Sequence, residues 1–234
     1  MLELITFSNV KNRNFLNYSP FCQKVEVFLK LCKIEFKHKE YNGPLKKFPN
    51  QKLPVLIDRG VMISDSTFII EHLIQSRDLK IDSHLSHEQH SVGIVYKSMI
   101  EEHLYWAIVC ERWLVESNWT EFKKVIFKNV PKPIAFILQR VVRSVTIKNC
   151  MGHGFGRLSP QERLKISTSL IQSLSHFISN KTYAFGDKVT SYDAIFHSTI
   201  SNLLYGDFTP ELQREALKHD NLKVYCDNIS KIIS

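Results

Sequence analysis

Three short stretches put reactive or anion-holding side chains at places where such chemistry is done. In Tyr18-Ser19-Pro20-Phe21-Cys22 a serine stands immediately before a proline, the pattern of a helix N-cap followed by the first helical residue. A thiol follows one turn later. A helix N-terminus lowers a thiol's pKa, so Cys22 has two readings: a reactive thiolate, or a small buried packing residue. Ser19 divides between a hydroxyl donor for chemistry and a cap that satisfies one backbone N–H, worth about 1 kcal/mol. Tyr18, next to it, is a third donor candidate. Asp65-Ser66 offers capping oxygens to a second helix start, and unpaired N–H groups at such a start attract anions. Leu53-Pro54 sits where a strand begins, a position that tolerates proline.

The elements that must carry these residues follow from apolar spacing. Residues 2–7 are rich in strand formers and lead into a polar loop over 8–18. Val25, Phe28, Leu29 and Cys32 recur at helical spacing, which predicts a helix over about 20–33. Residues 34–41 read as a second strand, ended by Asn42-Gly43-Pro44. Two apolar strands around Asp58-Arg59-Gly60 form a hairpin, and Phe68, Ile69, Ile70, Leu73 and Ile74 mark the next helix. The order is βαββα. The polar, histidine-rich stretch that follows is the best linker in the chain, and the domains are expected at 1–78 and 91–234 with a linker over 79–90. Beyond it helical patterns run over roughly 88–116, 119–128, 132–149, 160–180 and 191–204. Ser159-Pro160-Gln161-Glu162 is a capping box, and Thr190-Ser191-Tyr192-Asp193 carries a similar signal with the shorter acid.

Composition narrows the function classes. The chain has 234 residues, 44% hydrophobic and 23% charged, enough for two globular cores. Its first residues carry an acid rather than a basic secretory leader, and its apolar runs break before a spanning length of roughly 18 residues. Five cysteines, odd in number and without a C-x-x-C pair, fit a reducing compartment and suggest neither a disulfide framework nor a zinc knuckle. A cytoplasmic location is expected. Of the net charge of +8, the segment 121–148 supplies +6: Lys123, Lys124, Lys128, Lys132, Arg140, Arg143 and Lys148 against Glu121. That segment is either a solvated helical face or an attractor for anionic ligands or an anionic membrane surface.

Other clusters carry less. His84, His87 and His90 with Glu88 do not form the helical H-E-x-x-H pair, so no metal site is assigned. Gly152-His153-Gly154-Phe155-Gly156 lacks the preceding strand and following Lys-Ser/Thr of a phosphate loop and reads as an interhelical turn. No Ser-His-Asp order, paired-carboxylate signature or DNA-recognition helix is present. The basic residues lack interleaved exposed aromatics, so no nucleic-acid partner is expected.

Together, the βαββα unit, the helix opening at Ser19-Pro20-Phe21-Cys22, Leu53-Pro54 entering the third strand, and Asp65-Ser66 opening the next helix resemble the thioredoxin-like half of glutathione transferases, and the helical remainder resembles their second domain. Asn17-Tyr18-Ser19-Pro20-Phe21-Cys22-Gln23-Lys24-Val25-Glu26, Ser64-Asp65-Ser66-Thr67-Phe68, Met99-Ile100-Glu101-Glu102-His103-Leu104-Tyr105-Trp106 and Gly152-His153-Gly154-Phe155-Gly156-Arg157 narrow the resemblance to the failed-axon-connections branch, which is related to the metaxins. The fold class implied is α/β plus all-α.

The resemblance implies an enzyme that binds glutathione as cosubstrate, without a metal, and presents its thiolate to a hydrophobic electrophile. Ser19 stands at the position of the thiolate-stabilising hydroxyl, with Cys22 as a second catalytic candidate. Tyr18, Leu53, Pro54, Asp65 and Ser66 stand where glutathione is held: Leu53-Pro54 at a cis-proline site read by strand-like pairing, Asp65-Ser66 at the γ-glutamyl carboxylate. Asp65 replaces the commoner Glu, and Ser19 takes the place of a redox partner for Cys22, so no disulfide relay is expected. Tyr105, Trp106, Trp113 and Trp119 lie on or near the helix that in transferases faces the acceptor pocket, where Glu102 or Arg112 could also line the cleft. A homodimer is also implied. The relation to the metaxins implies the other possibility, a noncatalytic binding or membrane-associated module.

Overall fold

The computed structural model describes residues 2–10 and 15–234; residues 11–14, within the loop expected over 8–18, lie outside the described residues. The chain opens with β1 (Glu3–Thr6), α1 (Pro20–Leu31) and β2 (Lys37–Glu40), and continues with β3 (Val55–Asp58), β4 (Val61–Ser64) and α2 (Ser66–Ser76). The sheet order is β2-β1-β3-β4. β1 runs parallel to β2, which requires a crossover, and α1 supplies it. β3 is antiparallel to both β1 and β4. This is the expected thioredoxin-like βαββα unit. The tight β3–β4 turn is made by Arg59 and Gly60, both at positive φ (52° and 83°), which suits the twist of a two-residue hairpin. Val25, Phe28 and Leu29 of α1 are fully buried, each worth roughly 1.5–3 kcal/mol of transfer free energy.

The rest of the chain is helical: α3 (His87–Met99), a π-helical turn (Ile100–Leu104), α4 (Tyr105–Leu114), α5 (Glu116–Ile126), α6 (Lys132–His153), α7 (Pro160–Ile178), α8 (Tyr192–Tyr205), α9 (Pro210–Ala216) and α10 (Asp220–Ile233). Several details differ from expectation. α3 begins at His87, within one residue of the helical pattern expected from about 88, and Ser86 and Gln89 close there a capping box that was not read from the sequence. The helix expected over 88–116 is interrupted by the π turn, which keeps Ile100 and Leu104 buried while Glu101 reaches toward α1. α9 and α10 were not expected at all. The box at Ser159 and Glu162 is as expected, and Gly154, at φ 99°, ends α6 in the anticipated interhelical turn.

α8 is the centre of the molecule. Every residue from Tyr192 to Leu204 is buried, and α1, α3, α9 and α10 pack around it. A helix enclosed on all sides must settle its polar groups internally. Asp193 does so by accepting hydrogen bonds from the N–H of Ala184 (2.7 Å), the N–H and hydroxyl of Thr190 (both 2.8 Å) and the hydroxyl of Tyr225 (2.6 Å). That arrangement joins the loop before α8 to α10.

His197, in the same helix, is fully buried, with Nε2 3.3 Å from the Ser230 hydroxyl and Nδ1 unpartnered among the described residues. Burial pulls its pKa down from 6.5 to about 3. Above pH 6.5 the ring is neutral in folded and unfolded chains alike. Below it only the unfolded chain takes the proton, so stability is lost as the pH falls toward 3. Between pH 7 and pH 5 this single group is expected to cost about 2 kcal/mol of unfolding free energy. Urea titrations at the two pH values should show His197→Gln losing about that much less than the unaltered chain, whatever its absolute stability.

Candidate functional site

The strand register brings three sequence-predicted stretches to one end of the sheet. Ile5 pairs with Val55, and Val55 pairs with Ser64. The C-terminal end of β1, the N-terminal end of β3 and the C-terminal end of β4 therefore lie side by side. The loop after β1 delivers Ser19 to the start of α1, Leu53-Pro54 immediately precedes β3, and Asp65-Ser66 immediately follows β4. Ile5, Cys22, Leu53 and Val55 share one buried cluster, which ties the α1 start to the proline. The Leu53-Pro54 peptide bond is cis. Among the described residues, the backbone N–H and carbonyl of Leu53 have no hydrogen-bond partner.

Ser19 is the N-cap of α1, and its hydroxyl oxygen accepts from the Cys22 N–H at 3.3 Å. The loop that holds it is fixed by buried amides. The Asn17 Nδ2 donates to the Phe7 carbonyl (2.9 Å) and Asn9 Oδ1 (2.8 Å), while its Oδ1 accepts from the Ser19 N–H (2.9 Å). Gln23 Oε1 accepts from the N–H groups of Leu16 and Asn17, and Gln23 Nε2 donates to Ser201 of α8 at 2.6 Å. Arg112, buried in α4, donates to the Tyr18 carbonyl at 2.7 Å and to Asn202 Oδ1 at 2.9 Å. Its Nε has no partner among the described residues. Burial lowers the Arg112 pKa to about 10, which leaves the guanidinium charged at neutral pH.

Tyr18 lies half-buried among Phe15, Phe122 and Phe208, with Arg112 over its ring at 5.4 Å. Burial raises its pKa, Asp207 adds to the rise, and Arg112 opposes it. Cys22 is fully buried, and burial pushes its thiol up to about 11 although the Ser19 hydroxyl and the Phe7 backbone pull the other way. Of the two readings of Cys22, this environment is that of a packing residue, since a buried apolar site disfavours the thiolate.

At the start of α2, Asp65 adopts φ 77°, a conformation unusual for a residue with a side chain, and its Oδ1 accepts from the Thr67 N–H at 2.8 Å. Ser66 is buried behind it. Lys24, only 3% exposed, donates to the hydroxyls of Ser66 (3.2 Å) and Thr67 (3.3 Å) and to Glu101 Oε1 (2.6 Å). Burial lowers the Lys24 pKa and Glu101 raises it back. The Ser66 oxygen accepts from Lys24, and its hydroxyl has no acceptor among the described residues. A cation, a hydroxyl donor and a helix N-terminus thus meet, which suits a carboxylate.

Sequence reasoning missed Asn17, Gln23, Lys24, Glu101 and Asn202. The signal was faint: Asn17, Gln23 and Lys24 flank Ser19-Pro20, but only the fold shows that they turn inward. Arg112, suspected as a cleft residue, instead supports the Tyr18 carbonyl from below, and Glu102 is exposed to solvent. Trp113 stacks on Trp119 at 4.9 Å and Trp106 on His153 at 4.7 Å, while Tyr105 packs on Phe21 at 4.7 Å across the two halves. Among the described residues no group of three or more His, Cys, Asp or Glu side chains is arranged to hold a metal.

Comparison with known proteins agrees with this architecture. A family profile described as Glutathione S-transferase N-terminal domain matches residues 20–119, and one described as Glutathione S-transferase, C-terminal domain matches residues 168–229. The isoprene-epoxide–glutathione S-transferase of a Rhodococcus species is 31% identical over 190 residues, covering 79% of this chain and 80% of that protein. Failed axon connections of Drosophila melanogaster is 27% identical over 199 residues, covering 80% of this chain but 47% of that longer protein. A glutathione S-transferase of Ceriporiopsis subvermispora, solved in complex with glutathione, superimposes with a TM-score of 0.65 at 14% identity, covering 99% of this chain and 97% of that one. The chain belongs to the glutathione S-transferase family. Its similarity to failed axon connections is the branch relation that the sequence motifs implied.

The environment of Cys22 sets a clear expectation. A pKa shifted from 9 to about 11 lowers the thiolate fraction at neutral pH about a hundredfold, before any loss of access. A short iodoacetamide pulse on the native protein, mapped by mass spectrometry, should leave Cys22 unmodified, whereas the urea-unfolded chain should be labelled there readily.

Proposed function

We propose that the protein is a glutathione-dependent transferase that holds glutathione at the sheet end formed by Ser19, Leu53-Pro54 and Asp65-Ser66 and presents its thiolate to a hydrophobic electrophile. The observation that carries this reading is the polar cluster at the start of α2 beside the unpaired backbone of Leu53. The start of α2 gathers Lys24 and the Ser66 hydroxyl, which suits the γ-glutamyl carboxylate, while Leu53 leaves its backbone groups open for strand-like pairing with the tripeptide. Ser19 stands at the other side of the proline, its oxygen engaged as a cap toward Cys22, and on this reading its hydroxyl turns to the ligand sulfur when glutathione binds.

The energetics are adequate. A thiol near pKa 8.5 is mostly protonated at neutral pH, and lowering it by about two units requires roughly 2.7 kcal/mol of preferential stabilisation of the thiolate. The α1 N-terminus and one hydroxyl supply interactions of that order. In the reaction the thiolate attacks an electrophilic carbon, the carbon–leaving-group bond breaks, and the departing group takes a proton from water. The name of the Rhodococcus relative makes a small epoxide the first electrophile to try, in which case the ring C–O bond is the one that breaks.

A second reading has one observation in its favour. The Asp65 carboxylate is engaged by the Thr67 N–H, and the shorter acid leaves less reach toward a ligand amine than Glu would. On that reading the pocket is a relic on a noncatalytic module. Two measurements separate them. Calorimetric titration with glutathione should show saturable binding that is lost in the Asp65→Ala, Ser66→Ala double variant; no heat at millimolar glutathione would favour the noncatalytic module. With an epoxide substrate, Ser19→Ala should lower turnover by more than about tenfold, equivalent to about 1.4 kcal/mol of transition-state stabilisation, while circular dichroism stays unchanged. Unaltered turnover would remove Ser19 from the reaction.

A further inference from the structure

α6 is 22 residues long, yet among its described side chains only Ala135 and Cys150 are buried. Its outer surface is not simply polar. Ile137, Val141 and Val145, spaced by four residues, form one row along the helix, and each is more than half exposed. Ile134, also more than half exposed, extends the same face at the helix start. Arg140, Ser144 and Lys148 form the adjacent row, again spaced by four and exposed.

The cations of that second row lack acidic partners. In the basic stretch 121–148, Lys124 pairs with Glu121 and Arg143 with Glu116, whereas Arg140, Lys148 and the exposed Lys128 and Lys132 have no acid within ion-pairing distance among the described residues. Beside the apolar row, Arg140, Arg143, Ser144 and Lys148 line an open groove of about 400 Å³ whose apolar members are Ile147 and Met151. The Arg140 guanidinium lies 4.0 Å from the centre of the exposed Phe136 ring, so this charge is held at the surface rather than free to wander.

We infer that α6 is a membrane-docking helix that lies in the plane of an anionic phospholipid bilayer, with Ile137, Val141 and Val145 entering the acyl boundary and headgroup phosphates seated between Arg140, Ser144 and Lys148. An apolar row flanked by unpaired cations is the pattern of an interfacial helix, and neither half of it works alone. Among the described residues no helix is long and apolar enough to cross a membrane, so the contact is peripheral. A two-fold contact that set α6 directly against its own copy would bring the unpaired cations of one α6 toward those of the other with no acid between them, and anionic headgroups meet those cations instead. The inference stands apart from the glutathione pocket, and neither reading of that pocket is needed for it.

Vesicle co-sedimentation tests it on the full chain. The protein should pellet with vesicles of equal parts phosphatidylcholine and phosphatidylserine and remain in solution with phosphatidylcholine alone. Arg140→Gln with Lys148→Gln, and separately Ile137→Ser with Val141→Ser, should each weaken binding to the mixed vesicles by at least about tenfold. Both pairs are exposed, and an unchanged melting temperature would show that the fold is intact. Failure to bind anionic vesicles at low salt overturns the inference, as does equal binding to both compositions. It is overturned also if the serine variant binds as well as the unaltered chain, since the contact would then be charge adsorption alone. Sedimentation equilibrium supplies the last check: a dimer that the serine pair dissolves would assign the face to a second copy instead.

Discussion

Arg112 carries a charge into the interior, and its two hydrogen bonds decide where the start of α1 can be. One goes to the Tyr18 carbonyl and the other to Asn202 of the central helix α8. Burying a guanidinium costs several kcal/mol unless polar groups replace its water, so the interior must keep those acceptors in place. The consequence is mechanical. The residue before Ser19 is tied to the helical half of the chain, and the start of α1 cannot shift without uncovering the charge. Gln23 repeats the constraint from the other side, holding the loop backbone with its oxygen and Ser201 with its nitrogen.

A second clasp joins the halves through Lys24. Its ammonium group sits between the α2 N-terminus and Glu101, in the π turn between α3 and α4. A regular α-helix through that stretch would rotate Glu101 away from α1, so the irregular turn and the buried ion pair belong together. Such pairs contribute little net stability, because desolvation offsets most of the attraction. Their effect is geometric: Lys24 links the hydroxyls of Ser66 and Thr67 at the start of α2 to Glu101. Local backbone strain at Asp65 serves the same corner, where the carboxylate is committed to Thr67 and the helix start is kept open.

Against these constrained regions α6 stands out. α8 buries its apolar residues from Tyr192 to Leu204, while α6 leaves a row of branched aliphatic side chains in solvent beside unpaired cations. Nothing within the described chain compensates it. The molecule therefore has a hydrogen-bonded polar cluster at one sheet end and an amphipathic face on a helix that takes no part in that cluster.

Much of this was legible in the sequence wherever the determinant is local. Ser19-Pro20 fixed a helix start, Leu53-Pro54 a strand start, Asp65-Ser66 another helix start and Ser159 with Glu162 a capping box, because caps and turns depend on residues within one turn of each other. The basic excess over 121–148 was equally plain. What the sequence left open depended on distance along the chain. The burial of Cys22, which settles its thiol in the protonated form, comes from Ile5, Leu53 and Val55 packing over it. Lys24 and Arg112 look like surface residues until α2, α4 and α8 close around them. α10 does carry a local signal, Leu222, Tyr225, Cys226, Ile229 and Ile233 at helical spacing, that the sequence reading passed over, and both α9 and α10 pack against α7 and α8. Whether the apolar residues of α6 face a core or the solvent was likewise undecidable from periodicity, since a helical stripe specifies a face but not what covers it. Local capping chemistry determined the elements; only tertiary packing, by removing some side chains from water and leaving others in it, decided which of their residues could act.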